Sequence, residues 1–156
     1  MRTYLYRAMI ERGEERDWTV SFPDVPEAVS QAETIEDAKR AGQEALGLAL
    51  LSYPMRGKSL PVRSYGVGIP ARFGTYAVDA DISVEPAVAA KLAVLDAFAS
   101  SGRSKSELAV MLDKDEKEIR RILDPMHATK LTTLSVALEA LGQRLIIGVA
   151  AIDEAA

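Results

Sequence analysis

The spacing of apolar residues changes once along this chain, and that change limits what each half can fold into. Up to about residue 83 the informative stretches alternate. Tyr4, Tyr6, Ala8 and Ile10 interleave with Leu5, Arg7 and Met9, a period of two that predicts a strand over about 3–11. Gly13-Glu14-Glu15-Arg16-Asp17 is a polar tip. Trp18, Val20 and Phe22 then share one face of a second strand, completing a hairpin with a loop of about five residues. Pro23 and Pro26 interrupt pairing before a short third strand through Ala28-Val29-Ser30-Gln31. From about residue 84 the apolar spacing is helical throughout.

One helix lies in the first half. Thr34 is a good N-cap, with Glu36 and Asp37 where the helix dipole favours anions. Asp37 at the third helical position resembles a capping box but is shorter than the preferred Glu or Gln. Ile35, Ala38, Gly42, Ala45, Leu46 and Ala49 form a stripe of mostly small apolar residues, which lets the helix lie close to a sheet. Its end is expected near Ser52, before Pro54 and Gly57. Residues 53–74, rich in proline and glycine, read as a loop with a short strand near Val62–Val67. Arg56, Lys58, Arg63 and Arg72 fall in a stretch without acids between Glu44 and Asp79. Residues 76–83 alternate and read as a closing strand.

The second half reads as four helices. Pro86 suits a first turn, followed by Val88, Leu92, Leu95 and Ala99, with Ser101-Gly102 ending the helix. Ser104 caps a second helix through Leu112, and Asp115 a third through about Asp124. Residues 131–143 hold a fourth, with Leu134, Leu138 and Leu141 in line and Gly142 as its stop. Arg144–Val149 is a short β-prone apolar run, read either as core or as a strand pairing across a dimer.

Composition removes several classes of chemistry. The 156 residues include no cysteine and one histidine, His127. Disulfides, thiolate zinc sites, cysteine nucleophiles and multi-histidine metal sites are therefore excluded, and no cofactor is expected. No run of about 18 apolar residues is present, and the charged N-terminus is unlike a signal peptide, so the expected location is cytoplasmic with no membrane partner. A net charge of −4 confines any nucleic-acid contact to a local patch.

Such a patch is predicted at 104–123, SKSELAVMLDKDEKEIRRIL. Two short helices joined by a three- or four-residue turn make a helix-turn-helix. Ala109 provides the small residue where the helices cross, and Ile119 the aliphatic one ten positions later, with Ile122 and Leu123 continuing the buried face. Lys117, Arg120 and Arg121 fall on the opposite face, with Lys114 just before it, suited to phosphates and guanine edges. This segment resembles the Xre/Cro-like helix-turn-helix family over roughly residues 90–143. Aspartate (Asp113) stands where that family usually has glycine, and over 103–130 seven basic residues face six acidic ones, a net of +1. So little local charge favours a homodimer or a higher even-numbered oligomer, which multiplies phosphate contacts. The expected DNA contacts are Lys105, Ser106, Lys114, Lys117, Arg120, Arg121, Lys130 and Thr132.

The string FPDVPEAVSQAETIEDAKRAGQEAL, residues 22–46, is similar to the signature of the HicB antitoxin family. It has a Phe22-Pro23-Asp24 turn, a short strand at Val29-Ser30-Gln31 and the helix opening Thr34-Ile35-Glu36-Asp37-Ala38, with Ala32 where glycine often follows the glutamine. The resemblance implies an α+β protein: an N-terminal partial ribonuclease-H-like domain of antiparallel strands plus a helix (residues 1–83), then an all-α helix-turn-helix domain (84–156). It implies no nuclease activity, a HicA-type ribonuclease toxin as partner, covered at its active surface, and operator DNA bound to repress the shared promoter. The acids Asp24, Glu27, Glu33 and Glu36, or Glu11, Glu14, Glu15 and Asp17 at the hairpin, would meet a basic toxin, since complementary charge steers association.

Enzymatic alternatives fare poorly on the residues. Ribonuclease-H chemistry needs clustered carboxylates for two metal ions, yet Thr3–Ile10 carry no acid and Glu11 sits at the strand's edge. The single histidine lies in the loop after the third helix of the second half, where it caps a turn or touches phosphate rather than serving a triad. The glycines of 66–74 lack a P-loop lysine. The other reading kept open is a stand-alone repressor whose N-terminal half senses a ligand or dimerises.

Overall fold

The computed structural model describes residues 1–13, 17–64 and 76–149. The elements, in chain order, are β1 (Leu5–Arg12), β2 (Trp18–Ser21), β3 (Val29–Ala32), α1 (Ile35–Met55), β4 (Tyr76–Ser83), α2 (Pro86–Ser101), α3 (Lys105–Leu112), α4 (Glu116–Ile122) and α5 (Leu131–Ala140). The architecture is α+β. The four strands form one antiparallel sheet in the order β3-β2-β1-β4.

Alternation does what the spacing predicts. Tyr6, Ala8 and Ile10 of β1 and Val20 of β2 bury against Ala38, Leu46 and Leu50 of α1, joined by Phe22, Val25 and Ala28 from the proline-containing turn. The small-residue stripe brings α1 close to the sheet at Gly42, where an added Cβ would sit 2.9 Å from both Val20 methyls. Thr34 Oγ1 accepts from the Asp37 N–H at 3.1 Å. The box stays half-formed, because the short Asp37 side chain meets the Thr34 hydroxyl instead of its backbone N–H.

α1 runs one turn beyond the expected end. Pro54 occupies its last turn, where a proline forgoes only one ladder bond. The stop is Gly57, at φ +65, with the Lys58 N–H donating to the Tyr53 carbonyl and the Gly57 N–H to that of Pro54, the paired bonds of a left-handed helix end. Residues 62–64 are not strand; the rest of the strand expected near Val62–Val67, the glycines at 66–74 and the tip residues Glu14–Arg16 lie outside the described residues. Within the single chain the run Leu145–Val149 forms no strand, and Leu145 packs partly buried on the helical cluster. Ile146, Ile147 and Val149 are exposed.

Two buried clusters result, and α2 serves both. Its Leu92, with Val88 and Ala89 partly buried, packs on the sheet side. Its Ala90, Val94 and Ala97 pack with Leu108, Ala109, Ile119, Ile122, Leu134, Ala137 and Leu138 of the other three helices. Among the described residues no helix is long and apolar enough to cross a membrane.

Candidate functional site

The helix pair α3–α4 is built as its sequence demands. Ser104 and Glu107 form a complete capping box: the Glu107 N–H donates to Ser104 Oγ at 3.2 Å, and the Ser104 N–H to Glu107 Oε2 at 2.7 Å. These bonds hold the Glu107 carboxyl below its usual value. Asp113 takes the left-handed position at φ +50. Around it the Lys114 N–H donates to the Ala109 carbonyl and the Asp113 N–H to that of Val110, so aspartate fills the place a glycine would hold. Asp115 then caps α4 by accepting the Glu118 N–H at 2.7 Å. Ala109 is buried at the crossing, and Ile119 and Ile122 point inward.

That inward anchoring turns Lys117, Arg120 and Arg121 to solvent. The neighbouring acids explain themselves locally. Glu116 accepts from Ser106 Oγ at 3.0 Å and pairs with Arg120 at 3.5 Å, while Glu118 pairs with Lys114 at 3.0 Å. Exposed pairs four apart on a helix are worth only about 0.3–0.5 kcal/mol, so they do not withdraw Arg120 or Lys114 from an anionic ligand. Among the described residues Lys117 and Arg121 form no ion pair. Lys105 lies in the first turn of α3, Lys130 at the N-cap of α5 and Thr132 in its first turn, all exposed. The eight expected DNA contacts thus lie on α3, in the turn after it, on α4 and at the start of α5. His127 sits in a turn, its N–H donating to the Asp124 carbonyl.

The four acids expected to meet a partner divide. Asp24 is occupied inside the protein, accepting from the Ser64 N–H at 2.9 Å and Ser64 Oγ at 2.7 Å. Glu27 accepts from the Tyr53 hydroxyl at 3.1 Å. Glu33 and Glu36 are exposed at the start of α1. Of the hairpin acids, Glu11 is corrected: at 0% exposure it is interior to the sheet and offers no contact. Among the described residues no three His, Asp or Glu side chains gather as metal ligands.

Lys91 escaped the sequence reading. It is 4% exposed on α2, and the three N–H groups of its Nζ are shared among four acceptors, the carbonyls of Arg121 at 3.3 Å, Ile122 at 2.7 Å and Asp124 at 3.1 Å, and Thr129 Oγ1 at 2.8 Å. Burial pushes its ammonium down to about 8, with the Asp124 carboxylate opposing. The available signal was a lysine between Ala90 and Leu92 on the apolar stripe of a helix whose other charge is Asp96.

Comparisons with known proteins bear on the whole chain. Residues 6–64 match the family described as HicB_like antitoxin of bacterial toxin-antitoxin system. Antitoxin HicB 1 of Photorhabdus laumondii is 33% identical over 92% of this chain and 86% of its own length. Antitoxin HicB of Escherichia coli is 33% identical over 90% of this chain and 95% of its own. Among solved structures, the N-terminal domain of Burkholderia pseudomallei antitoxin HicB aligns with 52% of this chain and 98% of that one, at 21% identity and a TM-score of 0.38. With a third of its residues shared along nearly the full length of such relatives, and with the matched segment forming three of the four strands and the helix packed on them, the chain belongs to the HicB family of antitoxins.

Proposed function

We propose that this antitoxin works through two parts. Residues 1–83, a partial ribonuclease-H-like domain, bind a HicA-type toxin and cover its active surface. Residues 84–156, a helix-turn-helix domain, bind operator DNA as a homodimer and repress the chain's own operon. The observation that carries the DNA half is the exposed row Lys117, Arg120 and Arg121 on α4, held outward by Ile119 and Ile122. A helix so anchored, preceded by a tight turn and a second short helix, is the arrangement that enters a major groove. On the toxin side Glu33 and Glu36 act by direct contact. Asp24 and Glu27, engaged within the chain, contribute to the attracting field. The chain acts by occupancy and not by catalysis, in the cytoplasm.

The test uses the full chain, co-expressed with the product of its neighbouring open reading frame and weighed by light scattering. A stable complex with a small basic protein supports the antitoxin half. Lys117→Ala and Arg121→Ala should each weaken binding to the DNA upstream of the gene and lower the salt slope by about one, while leaving that complex intact. A lone dimer would favour the stand-alone repressor. That reading has one structural attraction, an apolar cavity of about 710 Å³ where the two halves meet, lined by Tyr4, Val84, Ala89, Ala93, Leu138 and Leu145.

A further inference from the structure

We propose that Lys91 is the positioning residue of the DNA-reading face, clamping the end of α4 and the loop that follows it onto α2. This rests on the DNA-binding reading above. Beyond Lys105 and Ser106 on α3, the expected contacts fall into two groups, Lys114–Arg121 on and before α4 and Lys130 with Thr132 at the start of α5. Their relative placement depends on the connection between them, residues 123–130. Within that connection the hydrogen bonds are local: the Met126 N–H donates to Asp124 Oδ1, the His127 N–H to the Asp124 carbonyl and Thr129 Oγ1 to the His127 carbonyl. Among the described hydrogen bonds, those from Lys91 Nζ alone tie the connection to a helix other than the two it joins.

The clamp spans the whole connection. Its acceptors are two carbonyls in the last turn of α4, one in the turn beyond it, and a hydroxyl one residue before Lys130. The Ile122 carbonyl has particular need of it. Pro125 has no N–H to give, and the Met126 N–H is committed to Asp124. An apolar side chain at position 91 could fill the same space but could not gather carbonyls from successive turns. Lys91 also sits between Ala90, which packs among the helices, and Leu92, which packs on the sheet side. The helix that carries the clamp is therefore the one both clusters share.

The experiment measures binding of full-length Lys91→Met to a labelled duplex carrying the region upstream of the gene, across a salt series. The expected result is at least about a tenfold weaker Kd and a salt slope lower by one or two phosphate contacts, because the two groups no longer engage together. Circular dichroism establishes that the variant is folded at the assay temperature. A folded Lys91→Met that binds within about twofold of wild type, with an unchanged slope, overturns the proposal. If Lys91→Met does not fold, Thr129→Val removes one acceptor from the clamp and is read in the same way, an unchanged Kd and slope overturning it. A wild-type chain that leaves the duplex unbound removes the DNA-binding reading and this inference together. Wild-type binding with an indifferent variant removes the inference alone.

Discussion

Two glycines five residues apart on α1 should respond to alanine with opposite signs. Gly42 faces β2, where a new Cβ would lie 2.9 Å from both methyls of Val20. Val20 is fully buried and paired on the sheet between Ile10 and Ser30, so it has little room to yield. Gly47 faces α2, where a new Cβ would meet a Val88 methyl at 3.6 Å, an ordinary contact. Replacing a mid-helix glycine by alanine gains about 1 kcal/mol in helix propensity at both sites. Forced overpacking costs about 1–3 kcal/mol, and only at position 42. Gly47→Ala should therefore stabilise by up to about 1 kcal/mol, and Gly42→Ala should be neutral to destabilising by about 2 kcal/mol. The propensity gain is common to both, so the difference between the variants isolates the close approach of α1 to β2. Urea unfolding followed by the fluorescence of Trp18, the single tryptophan of the chain and two residues from Val20, reads the relevant cluster. A Gly42→Ala midpoint equal to or above that of Gly47→Ala would refute the reasoning.

Stability should depend on alkaline pH in two opposed ways. Folded Lys91 titrates at about 8 against an ordinary 10.5, so the folded chain binds fewer protons than the unfolded one and stability rises from about pH 8 towards 10.5. Burial pushes Tyr4 from 10.0 up to about 12, so there the folded chain holds the proton longer and stability falls above about pH 10. Urea midpoints that fail to climb between about pH 7.5 and 9.5, or that climb equally in Lys91→Met, count against the first effect. Asp113→Gly should raise the thermal midpoint, by about 0.5–1 kcal/mol of relieved left-handed strain, whereas Asp113→Val should lose about 1–2 kcal/mol; melting followed by circular dichroism ranks the two. Asp24→Ala frees two donors of Ser64 and should cost about 1 kcal/mol. Faster amide exchange at Ser64 is the direct check, and an unchanged rate would show that the latch holds nothing.

The fold was legible wherever a short-range rule governs the backbone. Period-two alternation marked the strands, and Thr34, Ser104 and Asp115 marked helix starts that their side chains do cap. The left-handed tolerance of aspartate accounts for Asp113. One misreading came from weighing a local signal without its neighbours. Pro54 looked like a stop, but Gly57, which can take a positive φ, sets the end.

The candidate site was legible in part. The outward face of α4 follows from helical spacing once Ile119 and Ile122 are taken as buried, and that spacing lies within seven residues. What each charge does depends on partners far along the chain. Asp24 is held by Ser64, 40 positions away, and Glu27 by Tyr53. Glu11 reads as a polar residue near a hairpin and is interior. Lys91 meets acceptors 30 or more residues downstream, gathered only when α4 folds back across α2. The sequence by itself determined most of the elements, the caps at Thr34, Ser104 and Asp115, the turn at Asp113 and the family, because these depend on residues within a few positions of one another. The tertiary structure alone decided which charges are spent holding the fold and which remain on its surface, because burial and long-range hydrogen bonds exist only once distant segments have met.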